Sequence, residues 1–211
     1  MSTAVATDIP RLKARYNNTI KAKLAKYLGI ENEMQIPKLD KIVINNPGFE
    51  STPLADGGSS DLVVDWDETG SGTVVNPTND INAYDLNVYR STGSELTQAT
   101  SAILEVGNYT LSAEVGGRPA ATYGGYQLQL GVIDADTGDF VPLAVDNNSQ
   151  APNTAGTTLD ERFATATVSF SVVADDPNLG DAVAVRLVGE DEVNFDNVQL
   201  VYGVAAALAL V

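Results

Sequence analysis

Neither cysteine nor histidine occurs among the 211 residues. The first absence excludes disulfides, thiolate nucleophiles, iron–sulfur clusters and cysteine-ligated zinc. The second removes the commonest general base and the commonest transition-metal ligand. Any metal must therefore sit among oxygens, which suits calcium or magnesium. Positive charge is also scarce: 12 Lys+Arg stand against 28 Asp+Glu, a formal net charge of −16. A surface of that sign repels nucleic acid and anionic lipid. Apolar runs are short, and the longest at the C-terminus, Ala205–Val211, cannot span a bilayer. The first fifteen residues are charged and carry no apolar signal-peptide core.

What basic charge exists is concentrated at one end. Residues 1–46 hold eight of the twelve basic residues and four acids; residues 47–211 hold 24 acids, four Arg and no Lys. That break sets a compositional boundary near Asn45–Pro47; with the β-rich run that starts at Lys38 counted to the body, the chain is read as a basic head over 1–37, a body over 38–204 and a short apolar tail over 205–211. In the head, Leu12, Tyr16, Ile20, Leu24 and Tyr27 keep a helical spacing between the caps Asp8 and Gly29. Lys38–Asn45 then turns β-rich and is expected to open the body as a strand.

The body reads as all-β. Candidate strands cover Leu62–Trp66, Asp85–Tyr89, Asn108–Val115, Tyr126–Ile133, Phe140–Val145, Phe163–Val173, Ala182–Val188 and Asn194–Tyr202. Tyr109, Leu111, Ala113 and Val115 alternate with Asn108, Thr110, Ser112 and Glu114, as a strand with one buried face requires. Gly and Asp turn signals separate the runs. The expected fold is an antiparallel β-sandwich of jelly-roll type, like a carbohydrate-binding module, with an N-terminal basic helix.

Residues 11–45, RLKARYNNTIKAKLAKYLGIENEMQIPKLDKIVIN, resemble the N-terminus of the bacterial ribosomal protein family uL5. The resemblance ends at Asn46, and the acidic body has none of that family's basic surface, so it implies at most a fused ribosomal fragment. A second resemblance covers 46–202. Asn46-Pro47-Gly48-Phe49-Glu50 opens it and Val193-Asn194-Phe195-Asp196-Asn197-Val198-Gln199-Leu200 closes it, with Val75-Asn76-Pro77, Tyr109-Thr110-Leu111-Ser112 and Gly124-Gly125-Tyr126 between. This ordered set is similar to secreted jelly-roll domains of PEP-CTERM proteins, which are relatives of carbohydrate-binding modules. The same frame is shared by the hapalindole-type (Stig) cyclases, calcium-dependent enzymes that cyclise terpenoid indoles.

The resemblance implies an extracellular or cell-surface location and a structural Ca2+ held by Glu50 and Asp196, with backbone carbonyls completing the shell. The simpler alternative is that both are solvated turn residues. A sorted family member would also carry Pro-Glu-Pro, a longer apolar helix and a basic tail, which this C-terminus lacks. Trp66, Tyr89, Tyr123 and Tyr126, with Tyr84, are candidates for an aromatic ligand-binding platform, Tyr123 and Tyr126 because adjacent glycines admit a ligand to the backbone; core packing is the alternative for Trp66. Asp134, Asp136, Gly138 and Asp139 imitate an EF-hand start but lack its twelfth-position Glu, and read more simply as a hairpin turn. Glu190-Asp191-Glu192 reads as a solvated loop. With no nucleophile–base pair in sight, the expected function is a non-catalytic module binding a glycan or a small apolar or aromatic ligand, with a homo-oligomer left open. The alternative is a calcium-dependent terpenoid-indole cyclase with Asp196 as its buried acid.

Overall fold

A computed structural model of the chain describes residues 39–77, 87–117, 123–148 and 163–203, with Lys23 and Lys26 in helical conformation. The rest of the head expected to be helical lies outside the described residues. Leu39–Gly203 form one compact unit. Among the described residues twelve strands occur: β1 (Leu39–Ile42), β2 (Ser59–Ser60), β3 (Asp67–Thr69), β4 (Gly72–Val75), β5 (Val88–Thr92), β6 (Glu95–Ile103), β7 (Gly107–Gly116), β8 (Tyr126–Ile133), β9 (Phe140–Asn147), β10 (Phe163–Val172), β11 (Ala182–Gly189) and β12 (Glu192–Gly203).

They build two antiparallel sheets. The larger runs β10-β7-β12-β5-β4-β2, with β1 also on β12; the smaller runs β3-β6-β11-β8-β9. The sandwich expected from the alternation is thus present. Tyr109, Leu111, Ala113 and Val115 of β7 face inward against Leu128, Leu130 and Val132 of β8 and Val183, Val185 and Leu187 of β11, all in one buried cluster. Each large side chain so buried contributes about 1.5–3 kcal/mol. No helix among the described residues is long and apolar enough to cross a membrane.

Two expectations needed revision. Leu62–Trp66 is a turn: Asp65 has φ 68°, and Trp66 N–H donates to the Val63 carbonyl at 3.4 Å. That spacing buries Val63 and Trp66 while leaving Leu62 exposed. Conversely, β6 was not apparent in the sequence, because its inward positions include Gln98, a buried polar residue that breaks the apolar period.

The opening strand expected over Lys38–Asn45 is present in part as β1, which ends at Ile42, before Val43 and Ile44, and pairs Leu39–Ile42 with Leu200–Gly203. β12 therefore serves two partners along one edge, β5 at residues 192–195 and β1 at 200–203, while β7 runs along the other edge. Its register shifts between Asp196 and Gln199, where Asn197 takes φ 47°. Such a bulge bends the strand and re-aims its side chains.

Candidate functional site

The opening motif folds into a tight turn seated in that gap. Asn46 and Phe49 adopt left-handed φ of 46° and 61°, a conformation Asn tolerates but Phe does so only at a cost of about 1–3 kcal/mol. Packing holds it there: the buried Phe49 ring lies 5.8 Å from Trp66 and 5.6 Å from Tyr89. Asn46 ties the loop together, its Nδ2 donating to the Val64 carbonyl and its Oδ1 accepting from Ser51 N–H, both at 3.0 Å. Val198 N–H donates to the Pro47 carbonyl at 2.9 Å, so the two end motifs, far apart in sequence, touch. Glu50 turns toward β5, where Oε1 accepts from Asn87 N–H at 2.5 Å. A shallow cleft of about 480 Å³ lined by Asn46, Pro47, Gly48, Glu50 and Ser51 opens here.

Asp196 sits just before the bulge, 2% exposed, with Oδ1 accepting from Asn197 N–H at 2.6 Å. Its register partner on β7 is Glu114, 7% exposed. Side chains directly opposite on antiparallel strands stand about 5 Å apart at Cβ, so two buried carboxyl-bearing residues stand side by side. Thr165 Oγ1 donates to Glu114 Oε1 at 2.7 Å. The neighbouring row is equally buried at its centre: Asn194, wholly buried, pairs with Gly116 and with Arg90. Arg90 Nε approaches Asn194 Oδ1 at 3.3 Å and Glu192 Oε1 at 3.5 Å. Beside this polar row, and apart from the main core, Val75 and Val88 form a small apolar cluster against which Phe163 packs. Phe163 is in register with Gly116.

A carboxyl group withdrawn from solvent beside a second one is a candidate general acid once a substrate reaches it. Strand alternation alone does not single out Glu114, since it shares the polar face with Ser112 and Thr110; only the register against Asp196 gives it meaning. Among the described residues no three Asp or Glu side chains gather around a common point. A hard cation at the opening turn would therefore take much of its shell from neutral oxygens. Two observations bear on such an ion: Glu50 Oε1 rests on Asn87 N–H, and the buried amide oxygen of that residue, Asn87 Oδ1, makes no hydrogen bond.

The aromatic residues fall elsewhere. Trp66, Tyr89 and Tyr126 are buried core residues whose ring faces are covered. Tyr89 OH donates to Glu68 Oε1 at 2.6 Å, and burial, then this bond, pushes its pKa well above the usual range. Tyr126 OH donates to Asp146 Oδ2 at 2.9 Å. Tyr123 is half-buried, its OH 3.3 Å from Asn148 Oδ1, its pKa raised by burial and then by Tyr126, Asp146 and Glu190. The adjacent glycines serve close internal packing: a Cβ on Gly124 would meet Asp191 at 1.9 Å, and one on Gly125 would meet Asn148 Nδ2 at 2.6 Å. The Asp134–Asp139 stretch is the β8–β9 hairpin turn, with Asp134 Oδ1 accepting from Asp136 and Thr137 N–H.

A family model described as HpiC1-like, HpiC1 cyclase, matches residues 40–201. Among solved structures the chain is similar to the Stig cyclase Fisc from Fischerella sp. TAU in complex with (3Z)-3-(1-methyl-2-pyrrolidinylidene)-3H-indole, at 22% identity and TM-score 0.66, over 78% of this chain and 98% of that one. It is also similar to a cyclase from Fischerella sp. TAU in complex with 4-(1H-indol-3-yl)butan-2-one, at 22% identity and TM-score 0.63, over 79% and 99%. At these identities the likeness speaks for the fold. A looser likeness to a xylan-binding domain from Paenibacillus barcinonensis, TM-score 0.45 and 15% identity over 67% and 87%, bears on nothing further. The uL5 resemblance of residues 11–45 gains no support from these matches. The expected non-catalytic glycan or matrix module is overturned by the family match. Of the five residues expected to form its aromatic platform, Trp66, Tyr89 and Tyr126 are buried in the core, Tyr123 is half-buried, and Tyr84 lies outside the described residues.

Proposed function

The chain belongs to the HpiC1-like cyclase family, and from that membership we propose that it cyclises an indole-bearing terpenoid substrate, with Asp196 as the proton donor. The observation that carries this assignment is the buried Asp196–Glu114 pair beside the Val75–Val88–Phe163 cluster. Protonation of the substrate's unsaturated carbon framework creates an electrophilic carbon. The indole ring's π electrons then close a new C–C bond onto it, and loss of a proton restores neutrality. One proton enters and one leaves, so substrate and product are isomers and no redox partner is needed. The dry apolar surroundings strengthen the acid's interaction with developing charge and keep water from capturing the cation. The indole ligands held by the Fischerella cyclases support an aromatic, small-molecule substrate class.

The two roles open to Asp196 exclude each other, because a carboxylate bound to a dication does not hold a proton. We assign it the acid role on its position opposite Glu114, and place Ca2+ at the opening turn with Glu50. Calcium, when bound there, neutralises charge and ties the turn to the sheet. An isoprenylated indole incubated with the full chain should yield a cyclised isomer of unchanged mass by chromatography and mass spectrometry. Asp196→Asn should lose 10²-fold or more of turnover, about 3 kcal/mol of barrier, with its melting temperature little changed. A folded Asp196→Asn variant with wild-type turnover overturns the assignment.

A further inference from the structure

We propose that Asn87 supplies a neutral oxygen ligand, its Oδ1, to the cation at the opening turn; this rests on the placement of Ca2+ beside Glu50. Asn87 is 1% exposed at the head of β5. Its amide is fixed in orientation, since Nδ2 donates to the Phe49 carbonyl at 3.1 Å and to the Thr52 carbonyl at 3.0 Å. A flipped amide would set oxygen against two carbonyls. Oδ1 therefore has one allowed direction, and there it is buried without a hydrogen-bond partner. A buried polar atom left so costs about 1–3 kcal/mol, and native proteins keep few of them.

The Glu50 carboxylate rests on the backbone N–H of the same residue. A charged oxygen and an unsatisfied neutral oxygen thus lie within one residue's span, both rich in lone pairs. A hard cation satisfies both at once, and calcium accepts carboxylate, amide and carbonyl oxygens together. Asn87 then does two jobs: through Nδ2 it holds the 49–52 turn, and through Oδ1 it faces the ion. The neutral ligand also explains how a site forms among described residues that gather no three carboxylates.

The chain carries its own probe. Its single Trp, Trp66, donates Nε1–H to the Asn46 carbonyl at 3.3 Å, so the indole lies against the turn. Terbium titrated into the full chain under indole-selective excitation should give sensitised emission that calcium displaces. Asn87→Ala should weaken both ions tenfold or more and shrink the calcium-induced rise in melting temperature. Asn87→Asp keeps an oxygen at the site while facing the Phe49 and Thr52 carbonyls with a carboxylate. It should melt lower than wild type without metal and gain more from calcium. If Asn87 is only a tether or holds a water, the alanine variant melts lower by the same amount with and without calcium and binds terbium as wild type does. That result, or an aspartate variant whose calcium gain merely equals wild type's, overturns the role of Asn87 alone. Absence of any calcium-displaceable emission from wild type overturns the cation at the turn as well. Since cyclase turnover is not the readout, neither result depends on the acid assignment.

Discussion

The outer faces of the two sheets obey the same alternation and end up in opposite environments. On the smaller sheet Gln127, Gln129, Arg186, Thr97 and Glu95 are half-buried, and they satisfy one another at the surface. Arg186 Nε donates to Thr97 Oγ1 at 2.9 Å, its Nη1 meets Glu95 Oε2 at 3.4 Å, and its guanidinium lies 4.2 Å from the Phe140 ring centre. On the larger sheet the corresponding polar positions near the bulge, Asn194, Asp196 and Glu114, are withdrawn from solvent. Farther down the same sheet Thr167, Ser169 and Ser171 are exposed again. A polar outer face is what any sandwich needs for solubility. Burying two carboxyl groups on it opposes stability, because withdrawing polar groups from water costs free energy. Structures keep such an arrangement where chemistry uses it.

Substitutions on the two faces should therefore differ in kind. Glu114→Gln should lower turnover tenfold or more, about 1.4 kcal/mol of barrier, while melting near the wild-type temperature because an amide oxygen can still accept from Thr165 Oγ1; a steady-state assay beside a thermal melt checks both. Phe163→Ala, at the apolar end of the row, should raise KM several-fold with kcat less affected, as expected when a non-reacting contact is lost. Arg186→Gln, on the opposite sheet, should leave kcat and KM unchanged and lower stability by about 0.5–1 kcal/mol, the scale of a half-exposed cation–π contact and a screened ion pair. If Arg186→Gln altered turnover as much as Glu114→Gln, the contrast between the faces would collapse.

The smallest effect belongs to the β8–β9 turn. Hydrogen bonds from the Thr137 backbone, the Thr137 side chain and the Asp136 backbone hold the Asp134 carboxyl below its ordinary pKa of 3.8. A lowered folded-state pKa stabilises the fold above the unfolded value and loses that contribution as pH falls through the folded one. Asp134→Asn should thus melt slightly lower than wild type near neutral pH, the gap closing in acid; a melting series across acidic pH shows it. A gap that widened in acid would reverse the sign.

Part of this architecture is legible in the amino-acid sequence by itself. The alternation in Asn108–Val115 and Phe163–Val173 marks two strands with the correct inward residues, because the pleat's period of two is written directly in side-chain polarity. The paired end motifs, Asn46–Glu50 and Val193–Leu200, signal the family frame. Missing cysteine and histidine leave oxygen as the principal metal donor and a carboxyl group as the principal acid, a chemical restriction that holds whatever the fold.

Tertiary structure decided the rest. Tyr89 and Tyr126 read as platform and Trp66 as platform or core, and only packing against Phe49 and the main cluster placed all three inside. Glu114 looked like any solvent-facing strand residue until β12 came alongside β7 and set Asp196 opposite it. Asn87 carried no signal at all, for its meaning lies in carbonyls of the 49–52 turn that the sheet brings within reach of its amide. Sequence determines which face of a strand a residue occupies, because that depends on local parity. Register and burial depend on pairings between segments far apart in the chain, and those are set by the collective packing of the sandwich.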